Sequence, residues 1–194
     1  MYEEINTSIK QQGRQILLKF PVLYKLGLAK QHESNLLYVK IDLSENISRH
    51  YSVQTTSKSK YGFNFVAKHY DLATLMSGKI HAILTRRYLK GKNDRLTIKG
   101  RDYFDLLWFV KNSVKPNIER LSDILNKKVT VNYIENQINR RINRLIIKYK
   151  ADFRSDLIPL INNPEIIKYY VDNYYNEYLR YKSQSFQINV HSKP

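Results

Sequence analysis

The chain has 194 residues, enough for one domain or two small ones, and its 33 Lys and Arg against 17 Asp and Glu give a net charge of +16. It has no cysteine, which excludes a disulfide framework and a thiolate metal site. It has no apolar run of ~18 residues, so there is no reason to expect a membrane span. Because the N-terminus also has no apolar signal region, a cytoplasmic protein is favoured. The charge favours polyanions such as nucleic acid, nucleotides, an acidic membrane surface or an acidic protein, although an AT-rich genome would also inflate Lys, Asn, Ile and Tyr.

One helix and three short strands are predicted in the first third of the chain. Apolar residues at helical spacing predict a helix over residues 3–20, ended by Pro21 and Gly27. Alternating polar and apolar residues predict three strands, over residues 37–43, 50–56 and 61–67. A polar turn is expected at 57–60. Together the strands form a small antiparallel or mixed sheet, too short to be a domain by itself.

After residue 70 the pattern is helical. Helices are predicted from Asp71 to about residue 88, over 102–111, over 118–125, from 132 or 133 to 150, and over 164–181. A loop is expected at 91–97, a short turn of structure at 152–162, and a frayed tail over 182–194. The fold class is therefore α+β: a partial sheet of about three strands (residues 1–68) followed by a mostly helical lobe (69–194).

The first of these helices carries a lysine in its apolar face, which consists of Leu72, Leu75, Met76, Ile80 and Ile83. A lysine at this position, Lys79, is costly unless it has a partner or a chemical task. Arg86 lies seven residues later on the same side, so the pair indicates a face that looks into an anion site. The alternative is a lysine whose stem covers the core while its ammonium stays in water.

A basic segment joins this helix to the next. Its seven cations are Arg86, Arg87, Lys90, Lys92, Arg95, Lys99 and Arg101, against a single acid, Asp94. The long helix over 132–150 is expected to point Arg140, Arg141, Arg144 and Lys148 outward. The segment between the two predicted helices is therefore a basic loop.

The helix that follows opens with a narrow polar face formed by Arg101, Asp102, Asp105 and Asn112. One interpretation makes Asp105 a site carboxylate that orients Lys79 or Arg86. The other makes Arg101, Asp102 and Asp105 an internal ion-pair network that fixes the start of the helix, where a carboxylate also suits the helix dipole.

Asp42 is a separate candidate, on the polar face of the strand over 37–43. A carboxylate on the open face of a strand can hold Mg²⁺ or act as a general base, but it is equally an ordinary solvated strand residue. The five histidines show no metal-ligand spacing, and no Gly-rich phosphate loop or Ser/His/Asp order is present.

Three segments then occur in a familiar order: Lys79-Ile80-His81-Ala82, Arg86-Arg87, and Gly100-Arg101-Asp102-Tyr103-Phe104-Asp105-Leu106. Together they resemble the nucleotidyltransferase AbiEii/AbiGii toxin family, bacterial type IV toxin–antitoxin and phage-defence proteins of the DNA polymerase β-like superfamily. The strand over 38–42 and the stretch over 150–178 are similar to that family as well, so the resemblance extends from about Leu36 onward.

The resemblance implies the use of NTP and Mg²⁺, transfer of NMP to an RNA acceptor, with tRNA favoured, and a cognate antitoxin encoded nearby. It gives Asp42 as the third metal ligand or the base. It places the nucleotide against a set of six residues, Lys79, Arg86, Arg87, Arg101, Asp102 and Asp105.

One part of the family pattern is not found before Lys40: a Gly-Gly-Ser/Thr turn followed by Asp-x-Asp, which with the third carboxylate binds two Mg²⁺ ions. That region has only Gly13 and Gly27 and no aspartate. The expectation is an N-terminally truncated member, inactive alone. An incomplete reading frame, a degenerate remnant and a chain retained only for binding stay open. The alternative function is a non-catalytic basic module that binds nucleic acid or protein, and a third option is an unstable fragment with an exposed sheet edge.

Overall fold

The computed structural model describes residues 5–92 and 95–187. The chain divides into two compact units, Met1–Asn46 and Ile47–Pro194. This division lies earlier in the chain than the boundary expected after residue 68. The assignment of the two lobes to parts of a nucleotidyltransferase stays a prediction.

The first unit is a three-stranded antiparallel sheet. Its strands are β1 (Asn6–Lys10), β2 (Gln15–Pro21) and β3 (Leu36–Asp42), in the order β1-β2-β3. The helix predicted over residues 3–20 is therefore wrong. Residues 11–13 have positive φ angles, and Gly13 adopts this left-handed backbone without steric cost, so the chain reverses where a helix would continue.

The strand that carries Asp42 is confirmed as β3, but its alternating apolar residues are all exposed. Leu37, Val39 and Ile41 remain 44%, 41% and 39% exposed. The period of the strand was therefore readable from sequence, whereas the burial of its apolar face was not.

The second unit begins with a hairpin of β4 (Val53–Lys60) and β5 (Phe63–Tyr70). The polar turn expected at 57–60 is wrong, because these residues belong to β4 and the reversal falls at Tyr61-Gly62, both with positive φ. The single three-stranded sheet predicted from 37–67 is also wrong, since β3 pairs with β2 while β4 pairs with β5.

Six helices follow in the described part of the chain. They are α1 (Leu72–Thr85), α2 (Gly100–Lys111), α3 (Ile118–Ile124), α4 (Val131–Lys148), α5 (Lys150–Leu157) and α6 (Pro164–Phe186). None of these helices combines the length and apolar content of a membrane span. The mixture of strands and helices confirms the α+β class.

Local capping explains why several helices begin where the sequence predicted. Asp71 accepts a hydrogen bond from the Thr74 backbone N–H at 2.8 Å, and Asn163 does the same for Glu165 at 2.9 Å with proline at the next position. Two helix ends were predicted wrongly: α1 stops at Thr85, and α6 continues to Phe186.

The segment between α1 and α2 is a short hairpin of β6 (Tyr88–Lys90) and β7 (Arg95–Thr97), so the loop expected over 91–97 is wrong in its second half. The expected frayed tail is wrong as far as residue 186, because Ser185 and Phe186 are buried. Residues 188–194 of that tail lie outside the described residues.

The core of the second unit gathers around α2, which contacts α1, α5 and α6. Its fully buried side chains include Ile80, Leu106, Leu107, Ile134, Ile138, Ile142 and Tyr174. The Tyr174 hydroxyl donates to the Tyr103 carbonyl at 2.8 Å, which satisfies a buried polar group between α6 and α2.

Helices α2 and α5 lie very close to each other at Gly100. A Cβ added there would lie 3.0 Å from Asp156 Cβ and 3.1 Å from the backbone Cα of Phe153. The Gly100 N–H also donates to Asp156 Oδ2 at 2.7 Å, so an acid of α5 satisfies the first turn of α2 where Lys99 provides no side-chain cap.

We expect Gly100→Ala to destabilise the protein by about 1–3 kcal/mol, because the added methyl forces two backbones apart. Gly78→Ala is the matched control: it lies inside α1, nothing is within 4 Å of its added Cβ, and the change should stabilise the chain by about 0.8–1 kcal/mol. Urea unfolding of both variants measures the difference, and equal effects of the two changes would contradict the close approach.

Candidate functional site

The structure joins two helices through a shared buried carboxylate. Lys79 Nζ on α1 lies 2.9 Å from Asp102 Oδ1 and 2.7 Å from Asp105 Oδ2 on α2. Arg86 Nη1, from the residue that caps the C-terminal end of α1, binds the other oxygen of Asp102. Four of the predicted site residues thus form one ionic network, and Asp102 is bound by both cations.

Burial differs sharply between the two carboxylates. The Asp102 side chain is 6% exposed and the Asp105 side chain 45% exposed. Burial by itself would lower the pKa of Lys79, but its hydrogen bonds to Asp105 and Asp102 outweigh this and the pKa is raised above the ordinary value. Lys79 is therefore a charged, tethered ammonium rather than a lysine that extends into water.

Further cations surround a small cavity at the base of this network. Its volume is about 30 Å³, and its charged lining residues are Arg86, Lys99, Asp102 and Arg141. Burial, followed by the charge of Arg86, lowers the pKa of Lys99. An added anion would relieve the repulsion between Lys99 and the neighbouring cations. The cavity therefore favours a negatively charged ligand.

Arg141 was predicted to point outward, and this is wrong. Its guanidinium Nη2 donates to the Leu84 carbonyl at 2.7 Å, at the last turn of α1. The signal was present in the sequence: Arg141 lies three residues after Ile138 and seven after Ile134, which are both fully buried on the inner face of α4.

Two acids of α5 fix the β6–β7 hairpin beside the cavity. Asp152 accepts hydrogen bonds from Arg95 Nη2 at 2.7 Å and from Thr97 Oγ1 at 2.6 Å. Asp156 accepts one from Lys90 Nζ at 3.1 Å. The basic segment therefore has partners that lie more than fifty residues away, which no local pattern in the sequence indicates.

Arg87 and Arg101, also predicted as site residues, are exposed. Arg101 lines a second pocket of about 220 Å³ with Tyr88, Lys99, Ser155, Asp156 and Pro159. Within the described residues Arg87 has no hydrogen-bond or ion-pair partner. Neither arginine belongs to the Asp102 network, so any contact with a ligand would take place at the surface.

Asp42 belongs to the first unit, near the end of β3. Its Oδ1 accepts a hydrogen bond from Gln15 Nε2 at 2.9 Å and lies 3.5 Å from Lys40 Nζ, and its side chain is 67% exposed. Across residues 5–92 and 95–187, no three His, Cys, Asp or Glu side chains gather as a metal site requires. The donor set around Asp42 is one carboxylate with an amide and an ammonium, which does not fit a two-metal site.

Comparison with known proteins identifies the class to which this fold and network belong. Residues 2–186 match the model of the family described as "Nucleotidyl transferase AbiEii toxin, Type IV TA system". The chain belongs to this family of nucleotidyltransferase toxins, which confirms the resemblance seen in the sequence. A nucleotide substrate and an antitoxin partner go with that family. No curated protein and no solved structure matches the chain.

Removing the Asp102 charge should cost much more than removing that of Asp105. We expect Asp102→Asn to destabilise the protein by about 3 kcal/mol, because it leaves Lys79 and Arg86 without their buried counter-charge. Asp105→Asn, at a half-exposed position, should cost at most about 1 kcal/mol. The free energies of unfolding in urea give both values, and a cost at Asp105 as large as that at Asp102 would show that Asp102 is not the centre of the network.

The tether on the hairpin should weaken in acid. The hydrogen bond from Arg95, together with that from Thr97, holds the pKa of Asp152 below its ordinary value of 3.8. Its ion pair therefore stabilises the fold above that ordinary value and is lost as the pH falls through the lowered pKa.

We expect Asp152→Asn to be less stable than the parent chain near pH 6, with a difference that shrinks below about pH 4. Glu165→Gln, which removes an exposed carboxylate from the first turn of α6, is the control and should show a smaller difference at pH 6. Thermal melts across this pH range provide the measurement. A pH-independent effect of Asp152→Asn would contradict the role of its charge.

Proposed function

We propose that the chain is a nucleotidyltransferase-type toxin whose α1–α2 network holds the triphosphate of an NTP. The surplus of positive charge around Asp102 supports this proposal. Four cations, Lys79, Arg86, Lys99 and Arg141, accompany two carboxylates, Asp102 and Asp105. Such a surplus in a partly desolvated place attracts a multiply charged anion.

The residues divide into two roles in this proposal. Asp102 and Asp105 orient Lys79, and Asp102 also fixes Arg86, so that both cations present a preset geometry. Lys99 and Arg141 supply the unmatched charge at the cavity. A volume of about 30 Å³ admits one or two water-sized groups, so a phosphate oxygen enters while the nucleotide lies over the mouth.

The exposed arginines complete the set at the surface. Arg101 lies beside Lys99 in the second pocket, and Arg87 immediately follows Arg86 at the end of α1. We assign them the outer phosphates or the ribose side of the ligand, where solvent screens each contact and reduces its contribution.

RNA is the proposed acceptor, with tRNA favoured. We also propose that the toxin acts in the cytoplasm and that a nearby gene encodes its antitoxin. Mg²⁺ is the expected metal, with Asp42 as one of its carboxylate ligands or as the base. The described residues do not fit a two-metal site, so the proposal contains no catalytic step on the metal. The 194-residue chain alone is expected not to transfer NMP to RNA; label transfer by the purified chain, abolished by Asp42→Ala, would contradict this.

Nucleotide binding is the most direct test of the proposed site. We expect Lys99→Gln to lower the affinity for NTP about 10- to 100-fold, the value of one charge-assisted contact. Lys58→Gln removes the same charge from an exposed position in β4 and should change the affinity less than twofold. Titration calorimetry at fixed salt measures both. Equal losses for the two variants would mean that only the net charge of the chain attracts the nucleotide.

A second candidate, a non-catalytic module that binds nucleic acid, is supported by exposed cations on α4. Arg140, Arg144 and Lys148 follow one another at intervals of four residues and are all exposed. This function predicts RNA binding that survives Asp42→Ala and Lys79→Ala and that is lost when Arg140, Arg141 and Arg144 are neutralised. Arg141, which is tied to α1, is expected to contribute through the fold rather than through contact with RNA.

A further inference from the structure

A groove between α5 and α6 lies outside the network described above. Its volume is about 460 Å³, and it is lined by Lys150, Ala151, Arg154, Lys168, Val171 and Asp172. Three of the six lining residues are cations and one is an acid. The groove is thus a further positively charged concavity in the same unit, with no role in the proposed nucleotide site.

Its single carboxylate is not enough to neutralise it. Lys150 Nζ lies 2.7 Å from Asp172 Oδ1, and this hydrogen bond is the largest cause of the lowered pKa of Asp172. The charges of Lys168 and Arg154 lower the same pKa, so both cations lie within electrostatic reach of the one acid. A surplus of two positive charges therefore remains in the groove.

Apolar and aromatic surface accompanies these charges. Ala151 and Val171 provide the apolar lining, and Tyr175 follows Val171 by four residues on the same side of α6, with 38% of its surface exposed. Cations that alternate with an exposed ring are the combination that contacts both the phosphates and the bases of a nucleic acid strand. An acidic peptide would use the cations but not the ring.

The positive charge continues beyond the groove. Arg140, Arg144 and Lys148 form an exposed row along α4 that spans about 12 Å. Only Tyr149 separates Lys148 from Lys150, the first residue of α5. A continuous series of cations matches a polymeric anion better than a free phosphate, since each phosphate of the polymer releases counterions of its own.

We propose that the groove between α5 and α6 binds the phosphodiester backbone of the acceptor RNA, with Lys150, Arg154 and Lys168 as its phosphate contacts and Tyr175 as a stacking surface. The identity of the RNA as an acceptor rests on the proposed function. The binding itself does not, because none of these residues belongs to the Asp102 network.

The test is binding of labelled polyuridylate by the full chain over a range of salt concentrations. We expect the triple variant Lys150→Gln/Arg154→Gln/Lys168→Gln to bind about 10- to 100-fold more weakly at 0.1 M salt, and its log–log salt slope to fall by about 2. The control variant Lys58→Gln/Lys60→Gln/Lys68→Gln removes the same charge from the β4–β5 hairpin and should bind within about threefold of the parent chain.

A substitution that is expected to strengthen RNA binding serves as a second test, because a misfolded variant would not bind RNA more tightly. Asp172→Asn removes the only acid of the groove and should tighten RNA binding about fivefold at 0.1 M salt. Tyr175→Ala should weaken binding to polyuridylate while binding to polyglutamate stays the same, because stacking needs a base.

Two results would overturn the proposal: similar losses in the two triple variants, or no gain from Asp172→Asn. If the variants change the affinity for polyglutamate as much as the affinity for polyuridylate, the groove would be assigned to an acidic protein instead. Lys79→Met separates this inference from the proposed nucleotide site, since it should impair NTP binding and leave RNA binding intact. Failure of the NTP arm alone therefore counts against the nucleotide site and not against the groove.

Discussion

The arrangement of the second unit depends on the cost of burying the Asp102 carboxylate. A buried carboxylate must have a counter-charge, and here Lys79 and Arg86 provide it from the neighbouring helix. Because Lys79 lies on α1 and Arg86 caps its C-terminal end, their common partner fixes how α1 and α2 pack. Lys99 and Arg141 line the adjacent cavity and form no ion pair with any residue that the structure describes. The anion site that we propose therefore lies next to the interaction that joins the two helices.

The acids of α5 explain why the positive charge of the basic segment concentrates at one end. Asp152 and Asp156 pair with Arg95 and Lys90, so these cations hold the β6–β7 hairpin against α5. Lys99 has no comparable ion pair within the described residues. Burial lowers its pKa most, and the charge of the neighbouring Arg86 lowers it further. Arg95 and Lys90 therefore act in the fold, whereas Lys99 is the cation that we propose contacts a ligand.

Features set by neighbouring residues could be predicted from the sequence. Asp71 and Asn163-Pro164 mark the starts of α1 and α6, and the three-and-four spacing correctly places Arg140, Arg144 and Lys148 on the outer face of α4. Helical periodicity also favoured one interpretation in which Asp105 lies beside Lys79 or Arg86, and the contact with Lys79 is observed. The pairing of Asp102 with both cations was not predicted.

Features set by distant residues could not be predicted. The run over 15–20 is short and apolar, so it fits a strand as well as a helix. The turn before it and its pairing with β1 and β3 make it a strand. The inward direction of Arg141 depends on the Leu84 carbonyl, and the hairpin depends on two acids of α5. The Leu84 carbonyl and the two acids of α5 are each more than fifty residues away in the chain from the residues that they bind.

If the unmatched charge beside Asp102 receives phosphate, as we propose, the protonation of Lys99 must respond to the nucleotide. We expect ¹⁵N-lysine NMR to find the pKa of Lys99 below its ordinary value of 10.5 in the free protein and higher once a nucleoside triphosphate is added. A Lys99 pKa that is the same with and without the nucleotide would contradict the proposal.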